Sequence, residues 1–171
     1  MAADSTERVL LVMRHAHAEP ATGSPDHARR LTDAGRDEAA RIGRQLAPRH
    51  VPDVALTSSA VRAVRTAEEV IAGSESRAEV HSTEELYLAS GDGLLDAVHG
   101  LNPDARTALL VGHQPILQEF ALALADEESD PSYIAAISEH FRPATVALFR
   151  YDGLWGEMEF GEAELFDVLT A

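Results

Sequence analysis

The chain has no cysteine, no lysine, few aromatic residues and no long apolar run. Without cysteine there can be no disulfide, no thiolate nucleophile and no zinc–thiolate site. Aromatic residues make up 5% of the 171 residues while hydrophobic residues make up 45%, so any core has to be built mainly from Ala, Val, Leu and Ile. No stretch approaches the roughly 18 apolar residues of a membrane span. The opening segment from Met1 to Arg8 lacks the basic flank and apolar region of a secretory signal, which predicts a soluble cytoplasmic protein. Positive charge is scarce too: Lys plus Arg total 14 against 29 acidic residues, and the formal net charge is −15. That balance disfavours nucleic acid and anionic membranes as partners, since both need a broad basic surface. A phosphate can then be held only in a local basic pocket, and the use of arginines as phosphate forks has to be argued position by position.

The length fits a single domain over residues 1–171, with 1–7 expected to be a flexible N-terminus. Apolar runs at Val9 to Met13, Val54 to Thr57 and Thr107 to Val111, with a shorter one at Ala78 to His81, predict strands. Between them lie helical patterns. Thr32 is placed as an N-cap before Ala34, Ala39, Ala40, Ile42, Gly43 and Leu46, with Pro48 closing the segment. A second helix over about Ser59 to Ala72 carries Val61, Val64, Ala67, Val70 and Ile71 on one face. Further helices are predicted at Gly91 to Gly100 and about Pro115 to Ala125, followed by a solvated acidic loop from Asp126 to Pro131. Near the end, Thr145 to Tyr151, the turn Asp152-Gly153 and Leu154 to Phe160 read as a hairpin, with Ala163 to Leu169 as a further strand. The alternation predicts an α/β fold: a three-layer α/β/α sandwich with a mostly parallel central sheet and a C-terminal antiparallel edge hairpin.

The chemistry is concentrated where strands end. Arg14-His15 follows Val9-Leu10-Leu11-Val12-Met13, His113 follows Ala108-Leu109-Leu110-Val111 and Gly112, and Ser58 ends the second strand four residues before Arg62. In parallel neighbouring strands these carboxyl ends share one edge of the sheet, where open α/β folds build their sites. Two histidines and two arginines then meet in one pocket. A neutral imidazole can attack phosphorus if cationic groups gather the equatorial oxygens and hold the group in line, and a guanidinium fork pairs with two oxygens at once. His113, if protonated, adds charge and a donor.

The ordered set Leu11-Val12-Met13-Arg14-His15-Ala16, Arg29-Arg30-Leu31-Thr32 with Gly35, Ser58-Ser59-Ala60-Val61-Arg62-Ala63 with Thr66, and Val111-Gly112-His113-Gln114-Pro115 resembles the histidine phosphatase superfamily (phosphoglycerate mutase-like). More narrowly it is similar to the small SixA-type phosphohistidine phosphatases. The likeness runs from residue 9 to about residue 169 and includes Leu86-Tyr87 and Phe141-Arg142-Pro143-Ala144-Thr145. It implies His15 as the phosphorylated nucleophile, with Arg14, Arg62 and His113 completing the catalytic pocket and Arg29 as a further pocket arginine of the short subfamily. Ala16 stands where many superfamily members have glycine, Ser59 where proline often follows the serine, and Arg30 where proline is usual.

Around this set, Ser58 and His17 are candidates for substrate contact, although a solvent-exposed loop position also fits His17. His15 and His17 make a poor metal site: no carboxylate has the spacing of a partner, and the arginines would repel a cation. A cofactor-independent enzyme without a metal is therefore expected. Larger members of the superfamily supply a carboxylic acid from a longer segment after the second helix. Here Glu85 is the candidate general acid in that region, beside Glu84, with a solvated Glu pair as the alternative. The expected function is a phosphatase acting through a phosphohistidine intermediate on protein phosphohistidine. The alternatives are a hydrolase of small phosphomonoesters and a non-catalytic phosphate-sensing or adaptor domain.

Overall fold

A computed structural model describes residues 6–171. Six strands form one sheet in the order β3-β2-β4-β1-β5-β6. They are β1 (Glu7–Arg14), β2 (Val54–Ser58), β3 (Glu79–Thr83), β4 (Thr107–Gly112), β5 (Val146–Asp152) and β6 (Glu164–Leu169). The pairings β2–β3, β2–β4 and β1–β4 are parallel, while β5 runs antiparallel to both β1 and β6. The helices are α1 (Asp33–Leu46), α2 (Val61–Gly73), the single turn α3 (Glu84–Tyr87), α4 (Gly91–His99), α5 (Ile116–Leu124) and α6 (Pro131–Glu139).

β1 shows why the sheet is covered on both faces. Leu10 and Val12 point into one core with residues of α4, α5 and Trp155, and Val9, Leu11 and Met13 point into the other with α1 and α2. A strand whose two faces are both buried reads as an unbroken apolar run, because period-2 alternation then has no polar side. The α/β three-layer expectation holds, with a mostly parallel sheet and antiparallel C-terminal strands.

Three local expectations are corrected. Leu154 to Phe160 is not the second arm of the hairpin: Trp155–Glu157 is a 3₁₀ turn, Trp155 is buried, and its indole donates to the Ala105 carbonyl at 2.8 Å. A turn that buries the one Trp cannot also run as an edge strand, so Glu164–Leu169 is the partner of β5. The stretch after Asp130 is helical, with the Asp130 carboxylate capping Ser132 N–H and Pro131 in the first turn, two signals of a helix start. Glu7 lies in β1 opposite Asp152, so the expected flexible segment ends before it, and residues 1–5 of that segment lie outside the described residues. Among the described residues no helix is long and apolar enough to cross a membrane.

Register aligns the strand ends. Val111 pairs with both Met13 and Thr57, so Arg14, Gly112 and Ser58 finish at one level of the sheet. The residues that follow them start the loops of the carboxyl edge.

Candidate active site

The loop after β1 is fixed from three sides. His15 N–H donates to Gly112 O at 3.1 Å and Arg14 N–H to Thr145 O at 3.1 Å, while Ala144 N–H reaches the carbonyls of Arg14 and His15, each at 3.2 Å. Ala144 does this from the left-handed region, φ 59°, a conformation an alanine adopts only at a cost of about 1 kcal/mol. Ala16 N–H donates to Thr66 Oγ1 at 3.0 Å, and that hydroxyl donates to Arg62 O at 2.7 Å, tying the loop to α2. On the α1 side a Cβ on Gly35 would collide with the His17 carbonyl, so glycine there lets the helix start directly against the loop.

The His15 ring is 9% exposed and its Nδ1 lies 2.8 Å from its neighbour's carbonyl, Ala16 O. Only an N–H can face a carbonyl, so the proton sits on Nδ1, and Nε2 accepts from Arg62 Nε at 3.3 Å. Burial brings the pKa of the ring down to about 4, reinforced by the charges of Arg62, Arg14 and Arg29 and opposed by the Ala16 carbonyl. His15 is therefore a neutral imidazole at neutral pH, with its lone pair on the nitrogen that faces the arginines.

His113 stands 5.2 Å from His15 between ring centres. Arginine can only donate, so Nδ1 of His113 accepts from Arg62 Nη2 at 3.3 Å and Nε2 donates to Ser58 Oγ at 2.7 Å. Burial first, then the Arg62 charge, lowers its pKa to about 3. His113 is thus neutral here rather than a resident cation; the charge of the site comes from guanidinium groups.

Arg62, buried at 5% exposure, is the hub: besides the two histidines it donates from Nη1 to Asp26 O at 2.8 Å and from Nη2 to Asp26 Oδ2 at 3.0 Å. Asp26 Oδ1 accepts from Arg29 Nη1 at 3.0 Å and Oδ2 from Tyr87 OH at 2.8 Å. The Tyr87 hydroxyl and the two guanidinium groups hold this carboxyl far below the usual range, and the same contact raises Tyr87. Arg14 donates to Phe141 O at 3.0 Å, and its buried Nε has no partner. Arg14, His15, Asp26, Arg29, Arg62, Tyr87, Leu88, His113 and Gln114 together line a cavity of about 520 Å³.

The structure brings Arg14, His15, Arg29, Arg62 and His113 together on that cavity, and the other three candidates lie elsewhere. Ser58 is fully buried, its Oγ accepts from Ala60 N–H and from the His113 ring, and it does not line the cavity. His17 turns to α1, with Nδ1 2.7 and 2.8 Å from the Glu38 carboxylate oxygens, and does not line the cavity. Glu85 is an exposed residue in the first turn of α3 and does not line the cavity; Thr83 capping Leu86 N–H turns the inward side of that helix over to Leu86. Sequence reasoning missed Asp26 and Tyr87 as site residues. The Asp26-to-Arg29 spacing was a usable signal for the first, while Tyr87 lies 61 residues from its partner Asp26 and is joined to it only by the fold. Among the described residues no cluster of three or more His, Asp or Glu side chains is arranged to hold a metal ion.

A family profile, the histidine phosphatase superfamily (branch 1), matches residues 10–87. An uncharacterized protein of Mycobacterium leprae (strain TN) is 33% identical over 159 residues, covering 90% of this chain and 96% of the relative. A solved structure from Nakamurella multipartitia, described as a "putative phosphohistidine phosphatase SixA", is 31% identical with a TM-score of 0.81, covering 95% of each chain. A protein histidine phosphatase SixA solved with tungstate shares the fold at a TM-score of 0.76 and 21% identity, covering 95% of this chain and 96% of its own.

Proposed function

Since the chain belongs to the histidine phosphatase superfamily and to its SixA type, we propose that it hydrolyses protein phosphohistidine through a phosphohistidine formed on its own His15. The observation that carries this reading is the state of His15: a buried, neutral imidazole, its proton held on Nδ1 by Ala16 O and its Nε2 lone pair turned to Arg62. Nε2 attacks phosphorus as the bond to the leaving group breaks. Arg14, Arg29 and Arg62 meet the charge spread over the equatorial oxygens, the work that cations and preorganised donors do in phosphoryl transfer. His113, neutral beside Arg62, is free to take up a proton when phosphoryl oxygens offset the arginine charges around it.

Two features support a phosphorylated protein side chain as the substrate. Leu88, at the cavity wall, is 73% exposed, and the Asp26 side chain is about half exposed, so the mouth is open to a side chain on a larger partner. A phosphohistidine protonated on its other ring nitrogen leaves as neutral imidazole and asks for little further acid help, whereas an alkyl phosphomonoester needs a proton for its alkoxide. Initial rates on a phosphohistidine protein, free phosphohistidine and a panel of small phosphomonoesters test this. The protein substrate is expected to have the highest kcat/KM; a small phosphomonoester exceeding it would move the assignment to small-molecule hydrolysis, and no turnover with retained phosphate binding would make this an adaptor.

A further inference from the structure

We propose that Asp26 is the base of the second half-reaction, accepting the proton of the water that hydrolyses phospho-His15. The inference rests on the reading of His15 as nucleophile. Among the residues lining the cavity Asp26 carries the one carboxylate. Its place also suits the geometry of displacement. An in-line attack must reach phosphorus from the side opposite Nε2. His15 is at the floor with 9% exposure and the Asp26 side chain at the mouth with 50%, so water arriving in line comes from the side where the carboxylate stands.

The same contacts that pin Asp26 couple its basicity to the phosphoryl group. Arg29, Arg62 and Tyr87 all donate to its two oxygens. Phosphoryl oxygens on Nε2 require N–H groups of the same two arginines. As those donors turn to phosphate, the carboxylate loses the partners that stabilise its charge and becomes a stronger base, held in place by the Tyr87 hydroxyl. Water oxygen then bonds to phosphorus while the P–Nε2 bond breaks. The electron pair of that bond returns to Nε2, the water proton passes to Asp26, and inorganic phosphate departs before Asp26 releases the proton to solvent. In the first half-reaction the ionised carboxylate has no proton to give, which fits a phosphohistidine that arrives protonated on its other ring nitrogen and leaves as neutral imidazole.

Rapid-quench measurements with radiolabelled phosphoramidate as the phosphoryl donor separate the two halves. Asp26→Asn is expected to form label on His15 within about threefold of the wild-type rate and then to hold it, with release slowed by about 100-fold or more, the usual weight of a general base. Asp26→Glu should recover part of the release rate. Release from labelled Asp26→Asn at the wild-type rate overturns the proposal. So does equal slowing of labelling and release, which would leave Asp26 merely holding Arg62 in place. A wild-type enzyme that turns over without label on His15 would overturn the nucleophile itself, an outcome distinct from either.

Discussion

β1 carries an arginine near each end, and the two live in opposite surroundings. At the amino end Arg8 is 3% exposed, lies over the Trp155 ring at 5.8 Å, and donates to the carbonyls of Thr6, Pro103 and Gly153. At the carboxyl end Arg14 donates from Nη1 to the Phe141 carbonyl and lines the cavity; the Nε of both arginines is buried without a partner, so the difference lies in the terminal nitrogens. Arg8 spends its terminal donors on backbone and closes the foot of the sheet. Arg14 keeps donors in reserve at a place where an anion can arrive. One residue type on one strand is structural or chemical according to what its N–H groups already bind, and composition carries no trace of the difference.

The sharpest test removes His15, the nucleophile we propose, from the chemical end. His15→Ala should abolish labelling of the enzyme and turnover together. In rapid-quench experiments wild type should show acid-labile, base-stable label, as a phosphorus–nitrogen bond requires. Retained turnover, or an adduct on another residue, would break the assignment of the carboxyl edge. Arg62→Ala comes next. It keeps the nucleophile but loses the hub that touches His15, His113 and Asp26, and the rate should fall on the order of 100-fold or more, as for removed oxyanion donors.

The pair Arg14→Ala and Arg8→Ala addresses the comparison directly. Arg14→Ala is expected to lower kcat/KM by about 10- to 100-fold with little change in the denaturant midpoint. Arg8→Ala should do the reverse: it empties the buried place of the guanidinium and leaves three part-buried carbonyls without its N–H groups, costs about 2 kcal/mol of stability and leaves kcat within about twofold. Urea titrations and initial rates on the same preparations decide it. A large catalytic loss in Arg8→Ala would mean that the foot of the sheet is coupled to its edge.

Much of the chemical end was legible in the sequence because strand ends are local. Val9 to Met13 and Ala108 to Val111 are unbroken apolar runs, and the residues that follow them in a parallel sheet have one place to go. Arg14, His15 and His113 could be placed on that basis, and Arg62 by its distance from the end of β2. What escaped depends on contacts distant in sequence or on direction within a loop. Asp26 and Tyr87 meet across the cavity, and no periodicity marks either. His17 and His15 look alike in the sequence, yet His15 lines the cavity while His17 is joined to Glu38 of α1. At the other end, Leu154 to Phe160 alternates well enough for a strand, and only the burial of Trp155 against Ala105 shows why it turns instead.

A smaller effect follows from the two depressed histidines of the cavity. The folded-state values of about 4 for His15 and about 3 for His113 lie below the ordinary 6.5 of the unfolded chain. As pH falls below about 6.5 the unfolded state takes up protons that the folded state refuses, so stability declines progressively, down to about 4 for the first ring and about 3 for the second. Asp26, depressed in the folded state, adds a further loss at more acid pH, below its ordinary 3.8. Denaturation series between pH 7 and 5 should show a shallower slope for His113→Ala than for wild type. An unchanged slope would mean that the rings are not held neutral by the fold.

The smallest effect is expected two residues from the largest. His17 has a side-chain exposure of 56% and is joined to Glu38 of α1, on the far side of the loop from the cavity. An exposed pair of this kind contributes about 0–1 kcal/mol, and nothing on the cavity depends on its ring. His17→Ala should therefore keep kcat/KM within about twofold. Hydrolysis by both wild type and His17→Ala should persist in excess chelator, since guanidinium groups supply the clamp that a metal ion supplies elsewhere. The same kinetic assay, run with and without chelator, reads both results. Loss of activity with rescue by a divalent ion would put a metal at the site, and a tenfold loss in His17→Ala without chelator would show that Glu38 positions the His15 loop through His17. In either case the contrast would lie between two faces of one loop rather than between two ends of one strand.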